Sequence, residues 1–305
     1  MFRGLLHAGC GSDRVPACGC PFDREMAKKK KGGLFRFTKV VLVLVMLALA
    51  GFFGYYAVYP DVSKLKRVNP KKTSFIEYRE REWKRKGKKV TIQKKWVPLG
   101  RISPYLVKAV LIAEDDKFWS HEGFDFDAIQ KAVEKDLKAG KFKFGGSTVS
   151  QQLVKNLYLS PSKNPVRKIQ EAIITYRLER SLSKRRILEL YLNVVEWGEG
   201  IFGIEAASFR YYEKPAEALS AEEAARLAAV LPNPLKYKVK GGSSYVEKRA
   251  SLIYAIMVKR GVVIPAYDEL NTPSENEQGP DSTPSDLVPA ENDKPLERSG
   301  QPNSP

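Results

Sequence analysis

The sequence predicts a mainly α domain carried behind a single membrane anchor, and three observations carry that prediction. Between 103 and 261, apolar residues recur at helical spacing in successive runs, several opened by a hydroxyl, Asn or Pro start signal, and no convincing strand interrupts them. Residues 40–59, VVLVLVMLALAGFFGYYAVY, are twenty consecutive uncharged residues, long enough to cross a bilayer as a helix. A chain of 305 residues, 43% hydrophobic, suffices for the core of one domain with flanking segments.

All three cysteines, Cys10, Cys18 and Cys20, precede the anchor, so the body beyond it has neither a disulfide framework nor a thiolate nucleophile. Cys18 and Cys20 stand too close for an ordinary zinc pair, and only His7 is nearby. Met26 opens the run MAKKKK, which reads like a natural start, so residues 1–25 are expected to be a mis-assigned or dispensable leader. Lysines at 28–31, Arg36 and Lys39 precede the apolar run, and Tyr55, Tyr56 and Tyr59 close it as an aromatic belt. The positive-inside rule then keeps residues 1–39 in the cytoplasm and sends everything after Pro60 across the membrane. Ala48-Leu49-Ala50 imitates a signal-peptide cleavage site, but the apolar run continues past it, which favours an uncleaved anchor.

Residues 60–95 form a basic segment beside the membrane. From 61 to 110 there are sixteen Lys and Arg against four Asp and Glu, within a net charge of +17 that points to acidic partners. Trp83 and Trp96 lie among these charges, a mixture that can bind nucleic acid. A location outside the membrane argues against that and leaves lipid headgroups, phosphate or a merely solvated surface. Short β-like patches at 73–78 and 89–96 predict a small hairpin here.

The stretch AEDDKFWSHEGFD at 113–125 concentrates acids, bases and aromatics at the end of an apolar helix that begins near Ser103 and Pro104. Glu114 falls in the last turn, facing the negative end of the helix dipole with aromatic neighbours, and both conditions favour the protonated carboxyl. Such a group trades protons near neutral pH; the plainer alternative is that Glu114 and Asp115 are solvated helix-end charges. Residues 126–137 are helical by pattern, 138–144 a basic-aromatic loop, and GGSTVSQQLVKN follows at 145–156. Its glycines allow close backbone approach, Ser147 and Thr148 can cap a helix, and the freed N–H groups favour an anion. Gln151, Gln152 and Lys155 project from that helix, and the spacing is not that of a Walker loop.

Asn164 and Pro165 start the next helix. Glu171 stands one turn beyond Arg167 and Lys168, either as a routine salt bridge worth a few tenths of a kcal/mol or as a second carboxylate in a phosphate-directed wall. ILELYLN at 187–193 is helical, WGEGIFG at 197–203 a glycine-rich turn into a helix at 204–212, and 221–231 a helix ended by Pro232 and Pro234. Residues 251–263 read as the last helix, braced by Tyr245 and Arg249. From 271 onward there are seven prolines, seven acids and two basic residues, so 265–305 reads as a disordered acidic tail. Two SxxK matches, at Ser160 and Ser181, lack the S-D-N and K-T-G partners of an acyl-transfer site and are treated as chance.

The blocks E-D-x-x-F-x-x-H-x-G (Glu114, Asp115, Phe118, His121, Gly123), GGSTVSQQLVKN, R-K-x-x-E (Arg167 to Glu171) and I-L-E-x-Y-L-N resemble glycosyltransferase family 51. These are the peptidoglycan glycosyltransferases of class A penicillin-binding proteins and of monofunctional transglycosylases. The resemblance spreads from Trp96 to about Val239 with no transpeptidase signature, which matches the monofunctional branch, and AAVLPNPLKYKV is similar to its Gram-negative members. It implies a lysozyme-like α domain at 96–264 on the periplasmic side of the inner membrane. It implies polymerisation of lipid II into β-1,4-linked glycan, with inversion at the donor anomeric carbon and release of polyprenyl pyrophosphate.

By the same resemblance, Glu114 is the general base for the acceptor 4-hydroxyl and Lys155 steadies the leaving pyrophosphate. Glu171 is the second carboxylate, orienting the pyrophosphate directly or through a divalent cation such as Mg or Mn. Lys163 and Arg167 belong to the phosphate-binding set; many relatives have Arg where Lys163 stands, and Lys keeps the charge but loses the bidentate fork. Asp115, Phe118, Ser147, Thr148, Gln151, Gln152 and Asn156 line or support the groove, and His121 is a structural hydrogen-bonder. The implied partners are lipid II, the growing strand, membrane lipid and cell-wall synthesis or division proteins, with no nucleic acid. Two rivals stand beside this reading: a lytic transglycosylase or muramidase of similar fold, which needs no pyrophosphate clamp, and a non-catalytic scaffold holding anionic lipid through 61–110.

Overall fold

The computed structural model describes residues 21–140, 146–161 and 164–264. Most of the expected leader, residues 141–144 of the expected basic-aromatic loop, Lys163 and the expected tail at 265–305 lie outside the described residues, and the loop's first residues, 138 and 139, instead end a helix. The first helix, α1 (Pro21–Val58), contains the uncharged run. Leu42, Leu44, Leu47 and their apolar neighbours lie exposed along it. A helix apolar on all sides and bare of protein cover is what a bilayer requires, and this is the one described helix long and apolar enough to be a candidate membrane anchor. Its end is tied down. Gln170 donates to the Tyr56 hydroxyl at 2.8 Å, and Arg177 donates to the Tyr56 and Val58 carbonyls at 3.0 and 2.6 Å, satisfying groups that a helix C-terminus leaves without partners.

The hairpin expected at 73–96 does not form. Thr73 is a helix cap, its hydroxyl accepting from the Ile76 N–H at 3.2 Å, and α2 (Ser74–Arg85) follows. Ile76 and Trp83 lie two turns apart on one face and bury together against Phe202. Those apolar positions fit a helical period, which a reading centred on the β-branched start of the segment overlooked. The second β-like patch yields only β1 (Gln93–Lys94).

That strand finds a distant partner. With β2 (Glu196–Gly198) and β3 (Ile201–Phe202) it builds a three-stranded sheet, β1 parallel and β2 antiparallel to the central β3. A sheet here corrects the expectation of none beyond 103. Strands of two or three residues carry no period, and Gln93 meets Ile201 only through the fold.

The remaining helices are α3 (Pro104–Glu114), α4 (Phe126–Ala139), α5 (Val149–Tyr158), α6 (Pro165–Ser181), α7 (Lys184–Val194), α8 (Ile204–Tyr212), α9 (Ala221–Val230) and α10 (Ser244–Lys259). The last begins well before 251 because Val246 and Ala250 extend the buried stripe of Ile253 and Met257 towards the N-terminus. In α9 the alanines at 221, 224, 225, 228 and 229 are buried, and their small side chains let α3 and α10 pack closely on it. On the other side, α5 packs on α2, α6 and α7. The C-terminal end of α3 thereby faces α5, with α10 beside it.

Gly203 joins β3 to α8 at φ 83°, ψ 149°, where a Cβ would lie 2.7 Å from the Asn193 carbonyl oxygen. That backbone is nearly closed to L side chains. Gly203→Ala should cost about 2 kcal/mol or more, read as a melting temperature lowered by roughly 4–8 °C in detergent; an unchanged melt would contradict the strain.

Candidate active site

Three helices converge on Glu114, the last residue of α3, whose side chain is 11% exposed. From α5, Gln152 donates Nε2–H to Oε2 at 2.9 Å. From α7, the Tyr191 hydroxyl donates to Gln152 Oε1 at 3.1 Å, which fixes the amide's orientation. From α10, Arg249 Nη2 donates to the Ala113 carbonyl at 3.0 Å and stands 3.6 Å from Glu114 Oε1. That oxygen is buried and accepts no hydrogen bond from the described residues. Burial raises the Glu114 pKa, with Gln152, Arg249 and Lys155 opposing the rise and the Asp115 charge adding to it. The shift follows from enclosure more than from the helix dipole and aromatic contacts expected from sequence.

The residues after Glu114 aim it. Asp115 accepts from His121 Nε2 at 2.9 Å and from the Val149 N–H at 2.9 Å, tying the end of α3 to the start of α5. Gly123 N–H donates to His121 Nδ1 at 3.0 Å, so the imidazole proton sits on Nε2 and is given to Asp115. Thr148 and Gln151 form a capping box on α5, Gln151 Oε1 accepting from the Thr148 N–H at 3.0 Å, and the Thr148 hydroxyl donates to the Gly123 carbonyl at 2.8 Å. Phe118 is fully enclosed, with Lys184 Nζ 4.5 Å from its ring centre. Asp115, Phe118, Thr148 and Gln151 thus hold the end of α3 and the start of α5 together around Glu114. Asn156 is buried on α5 as well. His121 is the structural hydrogen-bonder that the sequence reading expected.

A cationic wall stands beside Glu114. Arg167 Nη1 donates to Glu171 Oε2 at 3.0 Å, and Lys168 Nζ donates to Glu171 Oε1 and, at 3.2 Å, to the Ser147 hydroxyl. Lys155 points to the same place from α5 and is not closed into an ion pair among the described residues. Burial lowers its pKa; the Glu171 charge opposes that, Arg167 and Lys168 add to it, and Glu114 opposes it. Glu114 and the wall therefore share one electrostatic site, in which three cations outnumber Glu171.

Both oxygens of Glu171 are taken by cations, and no group of three or more His, Cys, Asp or Glu stands together among the described residues. A resident Mg or Mn needs several oxygen ligands and does not fit this donor set; Lys and Arg supply the positive charge. A cavity of about 950 Å³ lies elsewhere, between Trp83, the Glu199 turn and Lys238, and includes none of these residues.

Sequence reasoning missed Arg249 as a site residue, because its partner Ala113 is 136 positions away and no local signal connects them. Tyr191 was hidden inside an apolar helical run.

A half-free, enclosed carboxylate facing an excess of cations is chemically suited to group transfer, the carboxylate to accept a proton and the cations to meet an anionic leaving group. The transglycosylase family model matches residues 81–258, and the chain belongs to that family. The biosynthetic peptidoglycan transglycosylase of Nitrosospira multiformis is 44% identical over 220 residues, covering 72% of this chain and 96% of that protein. That of Aromatoleum aromaticum is 48% identical over 217 residues, covering 69% and 94%. That of an Azoarcus species is 53% identical over 180 residues, covering 59% and 78%.

Proposed function

We propose that this protein is a membrane-anchored peptidoglycan glycosyltransferase that polymerises lipid II into β-1,4-linked glycan. The observation that carries the reading is Glu114, enclosed with one oxygen free and sharing its electrostatic site with Lys155 and the wall of α6. Glu114 Oε1 takes the proton from the acceptor 4-hydroxyl as that oxygen bonds to the donor anomeric carbon. The bond from that carbon to the pyrophosphate oxygen breaks on the opposite face, which inverts the centre and leaves the electron pair on polyprenyl pyrophosphate. Lys155, Arg167 and Lys168 meet the charge that develops there. Glu171 holds Arg167 and Lys168 in fixed positions.

The anchor supports the same reading. Gln170 and Arg177 tie its end to α6, the helix that carries the wall. A polyprenyl pyrophosphate keeps its charged group at the membrane surface, so a wall built next to the anchor meets it there. Basic residues before the apolar run support a cytoplasmic N-terminus and a periplasmic catalytic domain.

A lytic enzyme cleaves a neutral glycan and has no use for this wall. Glu171 is committed to its cations and Asp115 to His121 and Val149, so neither is free as a second catalytic carboxyl. The test is lipid II polymerisation by the detergent-solubilised protein, with products resolved by glycan length. A ladder is expected; clearing of preformed cell wall with lipid II left intact would hand the assignment to the hydrolase.

A further inference from the structure

The last carbonyls of a helix lack partners, and its dipole disfavours a carboxylate at that end. Both problems fall on α3 at its catalytic residue, and one side chain from α10 meets both. Arg249 Nη2 bonds the Ala113 carbonyl at 3.0 Å and stands 3.6 Å from Glu114 Oε1. The longer distance exceeds a hydrogen bond yet keeps the charges in contact. A shorter bond would fill the lone pair that must accept the proton; this spacing supplies positive charge and leaves Oε1 open.

Among the described residues, Arg249 Nε is also buried without a hydrogen-bond partner, as is Glu114 Oε1. Buried polar groups are rarely left so, and one unpartnered atom on each of these two paired side chains leaves a donor and an acceptor for an incoming hydroxyl. The other groups facing Glu114 are Gln152 with Tyr191 behind it, Lys155 and the neighbouring Asp115. Lys155 is directed to the wall and Asp115 is bound to His121, so Arg249 is the cation assigned to the base.

We propose that Arg249 is a positioning residue for transfer, capping α3 and holding Glu114 ionised with Oε1 open until the acceptor hydroxyl arrives. The inference rests on the glycosyltransferase reading. After proton transfer, the same charge favours loss of the proton from Glu114, which readies the base for the next sugar.

The test compares Arg249→Gln, which keeps a donor for Ala113 but loses the charge, with Arg249→Met and Arg249→Lys. For each, kcat/KM on lipid II is followed against pH, and the Glu114 carboxyl is titrated by carbon-13 NMR, with Glu114→Gln identifying the signal. Removing a cation that favours the carboxylate raises the carboxyl pKa. The acid limb and the NMR titration of Arg249→Gln and Arg249→Met should therefore move upward together by about one pH unit or more. Arg249→Lys should stay near wild type in both. A rate that falls equally at every pH, with the Glu114 titration unmoved, would reduce Arg249 to packing and overturn the proposal. A wild type that makes no polymer would strike the glycosyltransferase reading instead, while the NMR titration would still decide the role of Arg249.

Discussion

Glu114→Gln should abolish the glycan ladder and leave a folded protein at least as heat-stable as wild type near neutral pH. General base catalysis contributes roughly 10²–10⁴-fold, and no other described carboxylate at the site is free to take over, so kcat/KM should fall by about 10³ or more. The substitution preserves volume, and a Gln oxygen can accept from Gln152 as Oε2 does. The stability claim follows from the direction of the pKa shift. A carboxyl whose folded pKa is raised contributes stability below its unfolded pKa and loses it as pH rises through the folded value. Near neutral pH, enclosing ionised Glu114 therefore costs stability, with burial outweighing Gln152, Arg249 and Lys155. Gln removes that cost. The difference in melting temperature between mutant and wild type should shrink as pH drops below the ordinary carboxylate range. A folded mutant that still builds a ladder would move the base to another residue.

What could be read in the sequence divides along a physical line. The register of α3 was legible, because Ser103, Pro104 and the apolar spacing after them set the start and phase that put Glu114 in the last turn. The α6 wall was legible for the same reason: Asn164 caps, Pro165 follows, and one helical turn brings Arg167 and Lys168 to Glu171. Local rules of capping and periodicity suffice for both. Contacts across the fold were not legible. Nothing near Arg249 points to Ala113, and nothing in residues 89–96 says that Gln93 will pair with Ile201 rather than with its own neighbours. The polar block from Asp115 to Gln151 showed its chemistry but not its division of labour. Asp115, His121, Thr148 and Gln151 satisfy one another and nearby backbone groups, and Glu114 is left with an open oxygen.

Lys155→Met should lower kcat/KM by about 10²–10³-fold, the usual cost of removing one preorganised group from a site of developing charge. Lys155 is the cation best placed for that role, since Arg167 and Lys168 divide their charge with Glu171 whereas Lys155 is enclosed and, among the described residues, closed into no ion pair. Its titration supplies a signature that simple loss of rate does not. Burial lowers the Lys155 pKa, so in free enzyme the ammonium is lost below the ordinary lysine range and the basic limb of kcat/KM falls early. Glu114, shifted the other way, brings the acid limb up, and the two together narrow the bell. Lys155→Arg separates charge from titration: a guanidinium does not lose its proton in this range, so activity should partly return while the basic limb moves out of reach. A Lys155→Met protein within tenfold of wild type, its basic limb in place, would mean that the pyrophosphate is met by α6 alone.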